Sequence, residues 1–219
     1  MNSSSHLQNV PRNPLRNISL ALLFLLGAAH AAAEGGALVP TPETGFGPFY
    51  PAEDALDRDH DLTRFGDSDA KPNGQIIEVE GIVRDVRGEV LVGAEVVIWQ
   101  TDTHGKYNHP SEDRKAANGG EIPLDPGFQY WGRTRTDADG KYFFRTIIPG
   151  SYGRARHIHC SVSHRKGQPF ATEMHFANDP LADDDFVTSR QEHDRLIVEL
   201  EATTSGVLRG RFDIVVPEG

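Results

Sequence analysis

Hydrophobic and polar positions alternate along residues 76–83 (Ile-Ile-Glu-Val-Glu-Gly-Ile-Val), and this period of two predicts a strand with one buried face. Asp85-Val86-Arg87-Gly88 follows as a turn. Residues 90–101 are a nearly continuous apolar run, which predicts a second strand buried on both faces. Residues 102–127 hold turn formers throughout and show no period, so a long loop is expected there. Loops of that length inside a compact domain are usually functional. A strand at 130–136, a hairpin turn at Asp137-Ala138-Asp139-Gly140 and a return strand at 141–148 come next, ended by Pro149-Gly150. Residues 157–164 and 172–176 predict two further strands, 178–185 an acidic loop, and 195–202 with 207–216 a closing hairpin. The only helical pattern, at 184–193, is weak. Seven or eight strands at turn-punctuated spacing predict an all-β fold: a single β-sandwich of mostly antiparallel strands with long functional loops.

The ends of the chain follow other patterns. Arg12 and Arg16 precede the apolar run 18–29, and Ala29-His30-Ala31 and Ala31-Ala32-Ala33 offer small-x-small cleavage sites. The run is shorter than the roughly 20 residues of a spanning helix. Residues 1–33 are therefore expected to be a signal peptide, and the protein to be exported to the periplasm or beyond the cell. Residues 34–75 are rich in Pro, Gly and Asp and read as an extended N-terminal arm, packing on its own domain or on a neighbouring subunit of a homo-oligomer. The β-sandwich domain then occupies 76–219.

Composition narrows the choice of partner. The 219 residues carry 22 basic and 32 acidic side chains, a net charge of −10, which argues against nucleic acid. Cleavage after residue 33 removes two basic residues and no acidic one, taking the net charge to −12. Cys160 is the one cysteine, so no intrachain disulfide forms even in an oxidising compartment.

Chemistry concentrates at 150–160. His157-Ile158-His159 on a strand turns both imidazoles to one face and Cys160 to the other. Cys160 is therefore expected as a small buried apolar residue. Tyr152 lies just upstream, past Pro149-Gly150, and Tyr107 lies in the long loop. Phenolate oxygen is a hard donor that needs a strong Lewis acid, and two phenolates with two imidazoles suit Fe(III). Taken singly, Tyr107 in a loop reads more readily as a surface aromatic than as a ligand, and Tyr152 equally as a core tyrosine at a sandwich corner. Alternation does not choose between Arg154 and Arg156 as the arginine that faces the site. His104, His109, His164 and His175 are expected at the surface or beside the ligands.

Five motifs occur in order. They are Trp99-Gln100 with Gly105-Lys106-Tyr107; Gly132-Arg133-Thr134-x-Thr136-Asp137-x-Asp139-Gly140-x-Tyr142-x-Phe144; Ile148-Pro149-Gly150-x-Tyr152; Arg154-x-x-His157-Ile158-His159; and, upstream, Thr41-Pro42-Glu43-x-x-x-Gly47-Pro48-Phe49-Tyr50. Together they resemble the intradiol ring-cleavage dioxygenases, the protocatechuate 3,4-dioxygenase-like non-haem Fe(III) enzymes that open catechols between the two hydroxyls. The resemblance spans about 41–180. It implies Tyr107 and His157 as equatorial iron ligands, Tyr152 and His159 as the axial pair, and Arg154 over the substrate ring. Tyr152 would leave the metal and take a catechol proton. The reaction implied is insertion of both atoms of O2 to give a cis,cis-muconate-type diacid.

Departures accompany the likeness. Only four residues separate Tyr152 from His157, a shorter link than in the best-known members, and Glu173 falls near where those members have a glutamine. Two other classes fit parts of the chain. Gly81-x-Val83-x-Asp85-x-x-Gly88 with Leu91-x-Gly93-Ala94-x-Val96 also suits a non-catalytic exported module of the prealbumin or adhesin kind. His157, His159 and His175 would suit an open zinc site.

Overall fold

The computed structural model describes residues 36–52, 59–66, 68–164, 168–182 and 189–217. The expected signal peptide at 1–33 lies outside the described residues, as does the first half, 184–188, of the weak helical segment 184–193. Among the described residues, ten strands build two mixed sheets. In order they are β1 (Ile76–Asp85), β2 (Glu95–Trp99), β3 (Trp131–Arg135), β4 (Lys141–Ile147), β5 (His157–Ser163), β6 (Phe170–Phe176), β7 (Ile197–Val198), β8 (Leu200–Ala202), β9 (Leu208–Arg211) and β10 (Ile214–Val216). The one described α-helix, α1, is Arg190–His193, and no described helix is long and apolar enough to cross a membrane.

The first sheet is organised on β1, whose alternating burial matches its alternating sequence. β4 pairs antiparallel with it, and β9 and β10 run parallel to it. The second sheet has the order β3-β2-β5-β6-β7. Antiparallel pairs predominate, as expected, but β1–β9, β1–β10 and β6–β7 are parallel.

Two expected elements divide. The apolar run 90–101 is not one strand. Val90 bridges back to Arg84 in the first sheet, a turn follows, and β2 begins in the second sheet at Glu95. Hydrophobicity stayed high across the crossing because Leu91 on one side of it and Ala94, Val96 and Ile98 on the other pack into the same core. Likewise, 195–202 splits between the sheets, with β7 pairing with β6 and β8 with β9.

Ile77, Val79, Val96, Ile98, Phe144, Ile158, Cys160, Val162 and Met174 meet in one apolar core. Cys160 thus faces the core, away from the two histidines. The other face of the second sheet is covered by the arm and the long loop. The arm lies on its own chain. Thr41 exchanges backbone and hydroxyl hydrogen bonds with Val215, the Thr44 N–H donates to the Ala171 carbonyl, and the Thr172 hydroxyl donates to that of Pro42. Beneath these segments Val97, Trp99 and Tyr107 form a second apolar cluster with Phe46, Phe49, Trp131 and Tyr152.

Candidate active site

Three strands supply the floor. Register pairs Trp99 with His159, His159 with Glu173, and His157 with His175, so these side chains share the sheet face that points away from the core. The Trp99 indole lies parallel to the His159 ring, centroids 4.8 Å apart, and fixes its plane. His157 and His159 are 4.8 Å apart edge-to-face.

Two glycine-bearing turns bring the tyrosines over this floor. Asp102, fully buried, organises the first turn: its carboxylate accepts from the His104 and Lys106 N–H groups and from the Tyr130 hydroxyl. Its carbonyl accepts from the N–H groups of Gly105 and Gly150, which ties this turn to the one carrying Tyr152. The two turns touch through their glycines. A Cβ on Gly105, which adopts φ +71°, would sit 2.3 Å from the Ser151 carbonyl oxygen, and one on Gly150 would sit 2.4 Å from that of Thr103. Only glycine permits this approach. Tyr107 and Tyr152 consequently meet edge-to-face with centroids 5.4 Å apart.

Tyr107, Tyr152, Arg154, His157 and His159 are therefore brought together, although the first two are 45 positions apart. Arg156 goes elsewhere, forming an ion pair with Asp179. The His157 Nδ1 donates to the Ala155 carbonyl at 2.7 Å, which leaves its Nε2 as the unprotonated nitrogen of a neutral ring. That Nε2 lies 3.3 Å from both the Tyr152 hydroxyl and Arg154 Nη1. Burial pushes His157 down to about 4 and, with His157 alongside, His159 down to about 3, so both rings are neutral donors at physiological pH.

Tyr107 is 3% exposed, and its hydroxyl is enclosed without a hydrogen-bond partner. Burial, reinforced by Tyr152 beside it, pushes its pKa well above the ordinary phenol range. A buried orphan hydroxyl costs about 1–3 kcal/mol, and a metal ion is the partner that would relieve it. Two neutral imidazoles with a buried, unpartnered phenol beside a second phenol fit a hard trivalent cation.

Glu173 is nearly fully buried. It accepts two bonds from Arg154, Nη1 to Oε1 at 3.1 Å and Nη2 to Oε2 at 2.8 Å, and one from His175 Nε2 at 3.0 Å. Burial opposes its ionisation, but the bonds from His175 and Arg154 outweigh that and hold its pKa well below the usual carboxylate range. Among the His, Cys, Asp and Glu side chains of the described residues, His157, His159 and Glu173 form a group whose donor atoms lie within 4.8 Å of one another. The three-histidine zinc arrangement is thus not formed: Glu173 stands where His175 was expected, and His175 turns its Nε2 onto Glu173.

Two contributors were not picked out from the sequence. Trp99 was legible only as part of a motif, and Arg114 gave no signal, being one charge in an aperiodic loop. Its guanidinium carbon lies 5.3 Å from the centre of the Tyr152 ring while its edge grips Glu112.

The family model described as Dioxygenase matches residues 46–218, a span that holds all five of these residues. The chain belongs to the intradiol ring-cleavage dioxygenases. This membership sets aside the non-catalytic module. The protocatechuate 3,4-dioxygenase beta chain of Burkholderia cepacia is 37% identical over 186 residues, 78% of this chain and 77% of that one. The catechol 1,2-dioxygenase of Acinetobacter baylyi is 30% identical over 173 residues, which is 69% of this chain but 51% of the relative; this chain spans about half of that protein. Among solved structures, the dioxygenase domain of a dioxygenase carbohydrate-binding protein fusion from Streptomyces sp. SirexAA-E matches with TM-score 0.63 and 26% identity, covering 83% of this chain and all of that one. The Pseudomonas arvilla C-1 catechol 1,2-dioxygenase matches with TM-score 0.61 and 25% identity, covering 82% of this chain and 63% of that one.

Proposed function

We propose that this intradiol dioxygenase uses Fe(III), held by Tyr107, Tyr152, His157 and His159, to cleave a catechol-type ring between its hydroxyl-bearing carbons. Both atoms of O2 enter the product, a cis,cis-muconate-type diacid. The observation that carries the reading is the enclosed, unpartnered Tyr107 hydroxyl beside two neutral imidazoles. A ferric ion, when bound, would supply a Lewis acid that gathers the two catechol oxygens and activates the ring.

The chain's residues divide the remaining work. Tyr107 is buried among Phe49, Trp99 and Tyr152, so it is the tyrosine that stays. Tyr152 is half-buried, at the edge of the cluster, and is the one to give way and accept a catechol proton on its phenolate oxygen. Arg154, held flat by Glu173, places a guanidinium next to His157, where it would stabilise negative charge developing on the ring. Trp99 and the Ala155 carbonyl hold the two imidazoles in orientation.

Oxygen uptake with a panel of catechols, read together with product mass, tests the reaction; absence of uptake from every catechol on the iron-loaded protein would refute it. The apolar run at 18–29 supports export to the periplasm or beyond the cell. Recovery of the protein with residues 1–33 intact in the cytoplasm would oppose that. Assembly into a homo-oligomer is a further proposal, tested by sedimentation.

A further inference from the structure

We infer that Glu173 is a specificity-determining residue, and that the ring this site takes carries no negative charge beyond its two catechol oxygens. The inference rests on the catechol-cleavage reading above and adds the class of catechol.

Each guanidinium beside the ligands already has its counter-charge. Arg154 lies flat on Glu173 through two bonds, at 3.1 and 2.8 Å, in a pair whose side chains are 12% and 2% exposed. Arg114, over the Tyr152 ring, lies on Glu112 through Nε and Nη2, and Glu112 is buried as well. Lys106 shares Glu112 and spends its ammonium on the carbonyl oxygens of Glu112 and Arg114. Glu173 also faces His159, its Oε1 lying 3.3 Å from Nδ1, and receives His175, so its charge sits on the floor of the site itself.

The electrostatic consequence follows by counting. A ferric ion with Tyr107 as phenolate and a catecholate dianion in place of Tyr152 sums to zero. Arg154 with Glu173 also sums to zero, and Arg114 and Lys106 with Glu112 leave one positive charge, on the ammonium that the Glu112 and Arg114 carbonyl oxygens already hold. A carboxylate on the ring would add one negative charge to a site whose nearby guanidiniums are already engaged and whose floor carries the Glu173 carboxylate. Burying such a charge unpaired is strongly unfavourable. A neutral ring meets no such cost, and a cationic substituent meets the Glu173 charge favourably.

Anaerobic titration of the iron-loaded protein, following its colour, gives dissociation constants without turnover. Three probes differ in ring charge: catechol, 3,4-dihydroxybenzoate and dopamine. The wild type is expected to bind 3,4-dihydroxybenzoate about tenfold or more weakly than catechol, with dopamine at least as tight as catechol. Glu173→Gln, which keeps shape and removes charge, is expected to narrow the gap between catechol and 3,4-dihydroxybenzoate by about tenfold. Equal binding of all three by the wild type would overturn the inference, as would a Glu173→Gln protein of wild-type melting temperature and iron content with an unchanged ratio. If the variant does not fold or load iron, the wild-type series decides. A wild type that binds none of the probes refutes the catechol reading itself.

Discussion

His157 donates its Nδ1 proton to the carbonyl oxygen of Ala155, 2.7 Å away and two residues earlier in the chain. That single bond selects the tautomer, and with it which nitrogen faces Tyr152 and Arg154. Replacing the ring removes both effects. His157→Ala is expected to lower iron affinity by more than the roughly 10- to 100-fold that loss of an outer partner costs, and to bleach the visible tyrosinate band. Metal analysis and an absorption spectrum after dialysis check this. Full iron content in the variant would remove His157 from the ligand set.

Tyr107→Phe should separate function from stability. The hydroxyl has no partner in the metal-free fold, so deleting it relieves a buried orphan group. The metal-free variant is expected to be equal to or more stable than the metal-free wild type, by up to about 1–3 kcal/mol, while losing colour and ring-opening activity. Denaturant melts of both metal-free proteins, with activity after iron loading, read the two effects. A destabilised variant that keeps full activity would show that the hydroxyl serves the fold instead.

Much of this site was legible along the chain because strand alternation is a strict rule. The period of two placed His157 and His159 on one face and Cys160 in the core, and β5 does so. Tyr107 was not legible that way. It sits in an aperiodic loop, and its position depends on Asp102 and on contacts between two turns, which only a recurring motif betrays. Register was equally hidden. β6 is buried along its whole length, so its pattern did not say that Glu173 would stand opposite His159. The splitting of 90–101 between two sheets was invisible because both parts are apolar for the same reason.

The long loop carries its own pH dependence. Burial would raise the Glu112 carboxyl, but hydrogen bonds from the Arg114 side chain and N–H, with the charges of Arg114 and Lys106, outweigh it and hold the folded pKa below 4.5. The unfolded carboxyl therefore binds a proton more readily than the folded one. Its contribution is complete above about 4.5 and is lost as pH falls through the folded value. Glu112→Gln is expected to cost about 1–3 kcal/mol at pH 7 and progressively less under acid. Urea melts of both proteins from pH 7 to pH 3 test this; a gap that stays constant to the acid end contradicts it.

The contact between the two turns admits a direct mechanical test. Gly105→Ala would place a methyl 2.3 Å from the Ser151 carbonyl, in a backbone conformation at φ +71° that alanine rarely adopts. The turns must then part, and the spacing of Tyr107 and Tyr152 with them. Expected outcomes are a stability loss of several kcal/mol, on the order of 1–3 for the backbone strain alone, and a shifted or weakened visible band. An unchanged band with wild-type stability would mean that the two turns do not set the tyrosine geometry.

One measurement bears on the central claim most directly. The iron-loaded protein is given catechol under isotopically labelled dioxygen, and the ring-opened product is weighed by mass spectrometry. Cleavage between the two hydroxylated carbons predicts a cis,cis-muconate-type diacid containing both labelled atoms, with one dioxygen consumed per ring. A semialdehyde product, cleaved beside the hydroxyls, or a quinone carrying no label would contradict the account.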